Sequence, residues 1–165
     1  MTLKISKKER VALFLVLAVY LCVTIFTGLY HEPWVDEAQS WLISRDNNII
    51  GIIRAVRYEG TLPVWHFILK FFQLFGLKYE YAFIVPMIFS MIGIVLLFMT
   101  DAPFTCKILL PFSFYVMYQE SIIARQYCLA FPVLMLLVLT YKERKSKPVR
   151  FFPSWHSASQ VLTDS

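Results

Sequence analysis

The sequence predicts an all-α membrane protein: about four transmembrane helices, plus juxtamembrane amphipathic helices in the first outer loop. Three observations predict it. The 165 residues are 58% hydrophobic and only 16% charged, with a mean hydropathy of +0.60. Soluble domains are about half apolar and a quarter charged, so these apolar residues exceed what a water-facing surface can hide. Val11–Tyr30 and Tyr81–Thr100 each run for 20 residues without a charge. At about 1.5 Å per helical residue that length crosses a hydrocarbon core of roughly 30 Å. The basic residues gather at Lys4, Lys7, Lys8 and Arg10 and again at Lys142, Arg144, Lys145 and Lys147, each cluster against an apolar run. This is the positive-inside pattern. The net charge of +5 therefore points to membrane lipids with anionic headgroups, not to nucleic acid.

Cysteine usage adds little. Cys22 and Cys128 lie within apolar runs and Cys106 beside Lys107, with no spacing for zinc or for a disulfide framework. Small buried residues are their expected role. The first apolar run exceeds the ~7–15 residues of a signal-peptide core and no A-x-A-like site follows, so an uncleaved signal anchor is expected.

Five apolar segments can be drawn: Val11–Tyr30, Leu62–Leu77, Tyr81–Thr100, Phe104–Tyr118 and Ile122–Tyr141. With both basic clusters in the cytoplasm the number of crossings is even, so one segment stays out. Leu62–Leu77 is the weakest. It is short, and it carries Pro63, His66, Lys70 and Gln73. A lysine near mid-membrane costs roughly 2.5–3.5 kcal/mol. Phe67, Phe71, Leu74 and Phe75 recur on one side at helical spacing, as in an interfacial amphipathic helix. The expected protein is multi-pass in the plasma or inner membrane with a cytoplasmic N-terminus. Its crossings lie at about 11–30, 81–100, 104–119 and 122–141, and its outer loop at 31–80. A polar turn, Gln119-Glu120-Ser121 with Arg125, closes the last pair on the outer side. Polar groups in such a place face a wet cavity or a site.

The outer loop reads as structured. Pro33 suits the first turn of a helix. In that helix Trp34, Ala38, Trp41 and Leu42 share one face, while Asp36, Gln39 and Ser40 point elsewhere. Asp36 and Glu37 are adjacent carboxylates at the helix start, where the dipole favours acids. A second helix, capped by Asp46, Asn47 or Asn48, carries Ile49, Ile52, Ile53 and Val56 on one side and Arg54 and Arg57 on the other. Those arginines suit either lipid headgroups or a substrate phosphate, which the guanidinium fork grips by two oxygens. Tyr58-Glu59-Gly60-Thr61-Leu62-Pro63 then breaks the helix.

A basic start, one apolar helix, Trp-x-Asp-Glu-Ala (Trp34–Ala38), paired amphipathic helices, Glu-Gly-x-x-Pro-x-Trp (Glu59–Trp65) and Ala-Arg-x-Tyr (Ala124–Tyr127) follow in order. Over about Lys4–Pro148 this order resembles the N-terminal third of GT-C-type membrane glycosyltransferases. That superfamily includes the protein O-mannosyltransferases and the aminoarabinose-transferase-like enzymes. The resemblance implies transfer of a sugar from a polyprenyl-phosphate donor to the hydroxyl of a lipid or polymer acceptor on the outer face. It makes Asp36 the general base, since an attacking hydroxyl must give up its proton. Glu37 becomes the second acid of the pair, and Glu59 the acid before the Pro-containing turn. Arg125 matches an arginine suited to the donor phosphate, with an ion pair to Glu120 as its ordinary structural role. No metal or cofactor is implied. Many relatives carry Glu-Gly-His-Pro-Pro where Thr61 and Leu62 stand here, so a role for that histidine does not carry over to His66.

By the same resemblance, residues 1–148 form the N-terminal transmembrane region of such an enzyme, and 149–165 an irregular tail that reads as neither helix nor loop. Family members are several times longer, so a truncated gene fragment is the expectation. The competing reading is a non-catalytic small membrane protein, an assembly subunit or transporter fragment. A lipid-head-modifying enzyme of another class shares the outer carboxylates.

Overall fold

In the computed structural model, residues 6–57 and 62–146 are described, with 142–146 by backbone alone. The tail expected at 149–165 lies outside them. Among the described residues every regular element is helical. The long helices are α1 (Lys7–Leu29), α5 (Ile84–Met99, entered through a 3-10 turn at Tyr79–Tyr81) and α7 (Ala130–Ser146). Between α1 and α5 lie α2 (Val35–Asp46), α3 (Ile49–Val56) and α4 (Val64–Leu74); α6 (Phe104–Leu109) follows α5. Two stretches, Lys7–Leu29 and Tyr79–Met99, are long and apolar enough to cross a membrane by length and composition.

Each start has a local cause. Ser6 and Glu9 form a reciprocal capping box on α1. Asn48, one of the three expected caps, accepts the Gly51 N–H to start α3. Pro86 and Pro132 stand in the first turns of α5 and α7, where their missing N–H breaks no helical bond. α1 and α5 are joined at both ends. At one end Gly28 lets the Phe83 ring lie against the α1 backbone. At the other the Lys107 ammonium donates to Glu9 Oε1 at 2.8 Å and to the Phe98 carbonyl at 3.0 Å. α7 packs along α5, with the Phe131 ring over Gly93. Tyr20, Ile94, Phe98, Val116, Phe131 and Met135 close the core between them.

Two expected helices take another form. The span at 104–119 is not one helix: α6 gives way to a 3-10 turn at Leu110–Phe112, and a π turn runs over Tyr115–Gln119. Pro111 cannot donate to the Lys107 carbonyl and its ring crowds that turn, so the helix breaks there. The span at 122–141 becomes regular only from Gln126 in 3-10 form and from Ala130 as α7; 122–125 is irregular. Such a break frees carbonyls inside the bundle, and buried carbonyls need donors. Side chains from the neighbouring helices supply them. Tyr20 donates to the Val116 carbonyl and Ser90 to the Glu120 carbonyl, each at 2.8 Å.

The outer-loop expectation is also corrected. α2 buries Glu37, Ser40, Trp41 and Ser44. Trp34 and Leu42, expected on the buried face, are exposed, and Ser40, expected to point away, is buried. A stripe at i, i+3, i+4, i+7 was present, but it is largely polar, so apolar periodicity picked the wrong face. α4 has 11 residues, roughly 16 Å at about 1.5 Å each, too short to cross. Its Lys70 donates to the carbonyls of Ser44 and Asn47 at 3.0 and 2.7 Å. The lysine that argued against insertion thus closes the C-terminal end of α2, the negative end of its dipole. Ile52 and Val56 of α3 turn inward, while Ile49, Ile53, Phe71, Leu74 and Phe75 stay exposed.

Gly93 yields a direct test of the bundle. A Cβ there would meet the Phe131 ring. Gly93→Val is expected to cost about 1–3 kcal/mol of overpacking, measured as a lower thermal midpoint in detergent. An unchanged midpoint would show that the ring yields freely.

Candidate functional site

The candidate site lies where the start of α2 meets the end of α1 and the irregular 119–125 segment. Successive helical residues point about 100° apart, so the two adjacent carboxylates separate. Glu37 turns inward, its side chain 3% exposed; Asp36 turns outward, 60% exposed.

Glu37 is fully engaged. As the third residue of α2 it reaches back to the Trp34 N–H at 2.8 Å, closing the helix start as the acid of a capping box does. Its other oxygen accepts from the Ala124 N–H at 2.6 Å, 87 residues away. His31 Nε2 lies 3.0 Å from Oε2, and His31 is itself only 5% exposed. Expected as the second acid of a catalytic pair, Glu37 instead ties three chain segments together. The Tyr118 hydroxyl, 3.3 Å from His31 Nδ1, extends the chain of polar contacts, and its ring stacks on Phe114.

Arg125 arrives from the far side of the sequence. Its Nη1 donates to the Asp36 carbonyl at 3.0 Å and to Ser40 Oγ at 3.3 Å, and Nη2 stands 3.6 Å from Asp36 Oδ2. The buried Nε–H has no hydrogen-bond partner among the described residues. The ion pair expected between Arg125 and Glu120 is therefore replaced by one with Asp36. Glu120 is completely buried, and the groups facing its carboxyl are the Tyr115 hydroxyl and the Phe131 N–H in the first turn of α7. Burial, the largest effect, pushes its pKa above the ordinary carboxyl range. The folded state then holds this proton more tightly than the unfolded chain. Stability is therefore lost as pH rises through the folded-state pKa. Glu120→Gln removes that loss, so its thermal midpoint should exceed the wild type's by a margin that grows from pH 5 to pH 8. A margin independent of pH would show that Glu120 does not titrate there.

Asp36 opens onto a cleft of 920 Å³ whose wall includes Tyr30, His31, Glu32, Trp34 and Tyr118. Rings, two carboxylates and two phenols on one concave wall suit a ligand with both apolar faces and hydroxyls. Arg54 and Arg57 are exposed on α3 and line no part of this cleft. Glu59 lies outside the described residues. Among the described residues no three His, Cys, Asp or Glu side chains gather as a metal site. Two wall residues, His31 and Tyr118, carried no motif. A lone histidine after an apolar run and a tyrosine in an aromatic stretch become notable only when folding joins them across 87 positions.

No protein-family model matches this chain, and neither a curated protein nor a solved structure matches it.

Proposed function

We propose that this chain is the N-terminal region of a multi-pass membrane glycosyltransferase of the GT-C kind. In this reading it crosses the membrane at about 11–30, 81–100, 104–119 and 122–141 with a cytoplasmic N-terminus, and the cleft opens on the outer side. α3 and α4 lie in the interface, their exposed Ile49, Ile53, Phe71 and Phe75 against lipid and Arg54 and Arg57 at headgroups. Asp36 takes the proton of an acceptor hydroxyl as that oxygen attacks the anomeric carbon of a polyprenyl-phosphate sugar, and Arg125 holds the departing phosphate.

The observation that carries this reading is the pairing of an exposed carboxylate with a partly buried guanidinium at the mouth of a cleft. An exposed acid needs no arginine to be soluble, and the guanidinium, 19% exposed, sets Nη2 beside the Asp36 carboxylate, where a phosphate oxygen would meet it. The test is sugar transfer: membranes carrying the chain in its complete reading frame, given polyprenyl-phosphate sugars, should glycosylate an outer-face acceptor. Failure with every donor sugar tried would overturn it.

One observation favours a second reading, a non-catalytic membrane protein. Two of the Arg125 contacts go to the Asp36 carbonyl and Ser40 Oγ, groups of α2 itself. An arginine that staples a helix in place needs no substrate. Arg125→Lys separates the two: it keeps the charge but loses the fork, and a structural staple would then fail in the stability of α2 before any effect on turnover.

A further inference from the structure

The geometry points to Tyr118 as a ligand-positioning residue of the cleft, with Glu37 and His31 setting which way its hydroxyl hydrogen points. The proposal rests on the glycosyltransferase reading for the identity of the ligand, a hydroxylated acceptor, but not for the network itself.

The argument is one of donors and acceptors. Each oxygen of Glu37 already accepts a backbone N–H, from Trp34 and from Ala124, so the group faces His31 as an acceptor. His31 Nε2, 3.0 Å from it, must therefore carry the hydrogen. In the neutral ring Nδ1 is then bare and can only accept. The Tyr118 hydroxyl at 3.3 Å must be its donor. With its hydrogen committed inward, the phenolic oxygen keeps its lone pairs for the cleft, whose wall it forms beside Asp36. Toward the cleft it can then act only as an acceptor, and a ligand hydroxyl suits it. Asp36 takes the proton of the attacking hydroxyl, so Tyr118 reads a neighbouring hydroxyl of the same acceptor and fixes the approach.

The test uses the full chain, labelled with 15N at histidine, in micelles of a detergent without a sugar headgroup. His31→Gln identifies the His31 signals. At neutral pH the expected spectrum has a protonated Nε2 and a bare Nδ1, and Tyr118→Phe shifts Nδ1 while leaving Nε2 in place. Methyl β-glucopyranoside, the hydroxylated probe, should move Nδ1 in the wild type and not in Tyr118→Phe. A proton on Nδ1 at neutral pH, a wild-type Nδ1 that the probe leaves unmoved, or a response that survives Tyr118→Phe overturns the proposal. None of these readouts needs turnover, so a wild type that transfers no sugar counts against the enzyme reading alone. In the transfer assay Tyr118→Phe should raise the acceptor KM roughly tenfold, the value of one hydrogen bond, with kcat within about threefold. A fall in kcat at constant KM overturns the positioning role.

Discussion

Glu37→Ala is expected to detach α2 from the bundle. Three groups converge on this carboxylate: the Trp34 and Ala124 N–H groups and His31 Nε2. The Ala124 N–H bond is buried and the other two are partly so, with the Glu37 and His31 side chains no more than 5% exposed. A buried donor left without its acceptor costs about 1–3 kcal/mol. His31 can turn toward the vacated space, so two full losses and part of a third give about 3–6 kcal/mol. Domains are stabilised by only about 5–15 kcal/mol in all. The loss should appear as a thermal midpoint in detergent lower by many degrees and as rapid tryptic cleavage at Lys70. That lysine is shielded only while it holds the end of α2. Glu37→Gln should fall between, since an amide can accept with its oxygen but sets its NH2 against a donor. A Glu37→Ala protein with the wild-type midpoint and slow cleavage at Lys70 would remove the structural role given to this residue.

Sequence could not separate Glu37 from its neighbour. Both are acids at a helix start, and both fit helix-dipole solvation as well as catalysis. The distinction comes from the Ala124 N–H, in the 119–125 turn, which meets Glu37 only through the fold. Pro111 and Pro132 stand where regular helix stops and restarts, whereas apolar run length alone predicts two short spans joined by a turn at 119–125. Polar groups of the backbone between the two prolines are satisfied by Tyr20 and Ser90, residues that each look like single interruptions of an apolar helix. Where one residue acts with its neighbours, sequence came near: the α3 cap is narrowed to Asp46, Asn47 or Asn48, of which Asn48 serves, and the shortness of Leu62–Leu77 is visible in a few consecutive letters. Where a residue answers a partner 85 to 98 positions away, as Arg125 does with Ser40 and Lys107 with Glu9, no periodicity carries the signal.

Arg125 shows how the site and the fold share one cause. It lies in the segment that delivers the Ala124 N–H to Glu37, so the bond that anchors α2 also brings the guanidinium to Asp36. The outward acid and its arginine are therefore held by the inward acid. Loss of Glu37 should abolish function through structure, whereas loss of Asp36 should leave structure intact.

Asp36→Asn puts that separation to measurement. The side chain is 60% exposed and its contact with Arg125 Nη2 is long, at 3.6 Å. Exposed ion pairs contribute about 0–1 kcal/mol, and the isosteric amide fills the same space. The midpoint should therefore stay within about 0.5 kcal/mol of wild type, as for surface changes in general. The Asp36 carbonyl and Ser40 Oγ still hold the arginine, so the cleft keeps its shape. An amide cannot take a proton, and loss of a positioned general base costs about 10²–10⁴ in rate. If the proposed glycosyltransferase reading holds, sugar transfer from a polyprenyl-phosphate donor should therefore fall by at least about a hundredfold in a protein of unchanged stability. Because the attacking hydroxyl is still bound, the loss should lie in kcat and leave the acceptor KM nearly constant. Transfer at the wild-type rate would remove Asp36 as the base. A loss confined to KM would make it a binding group, and the proton would then need another acceptor on the same wall, where Glu32 is the remaining carboxylate.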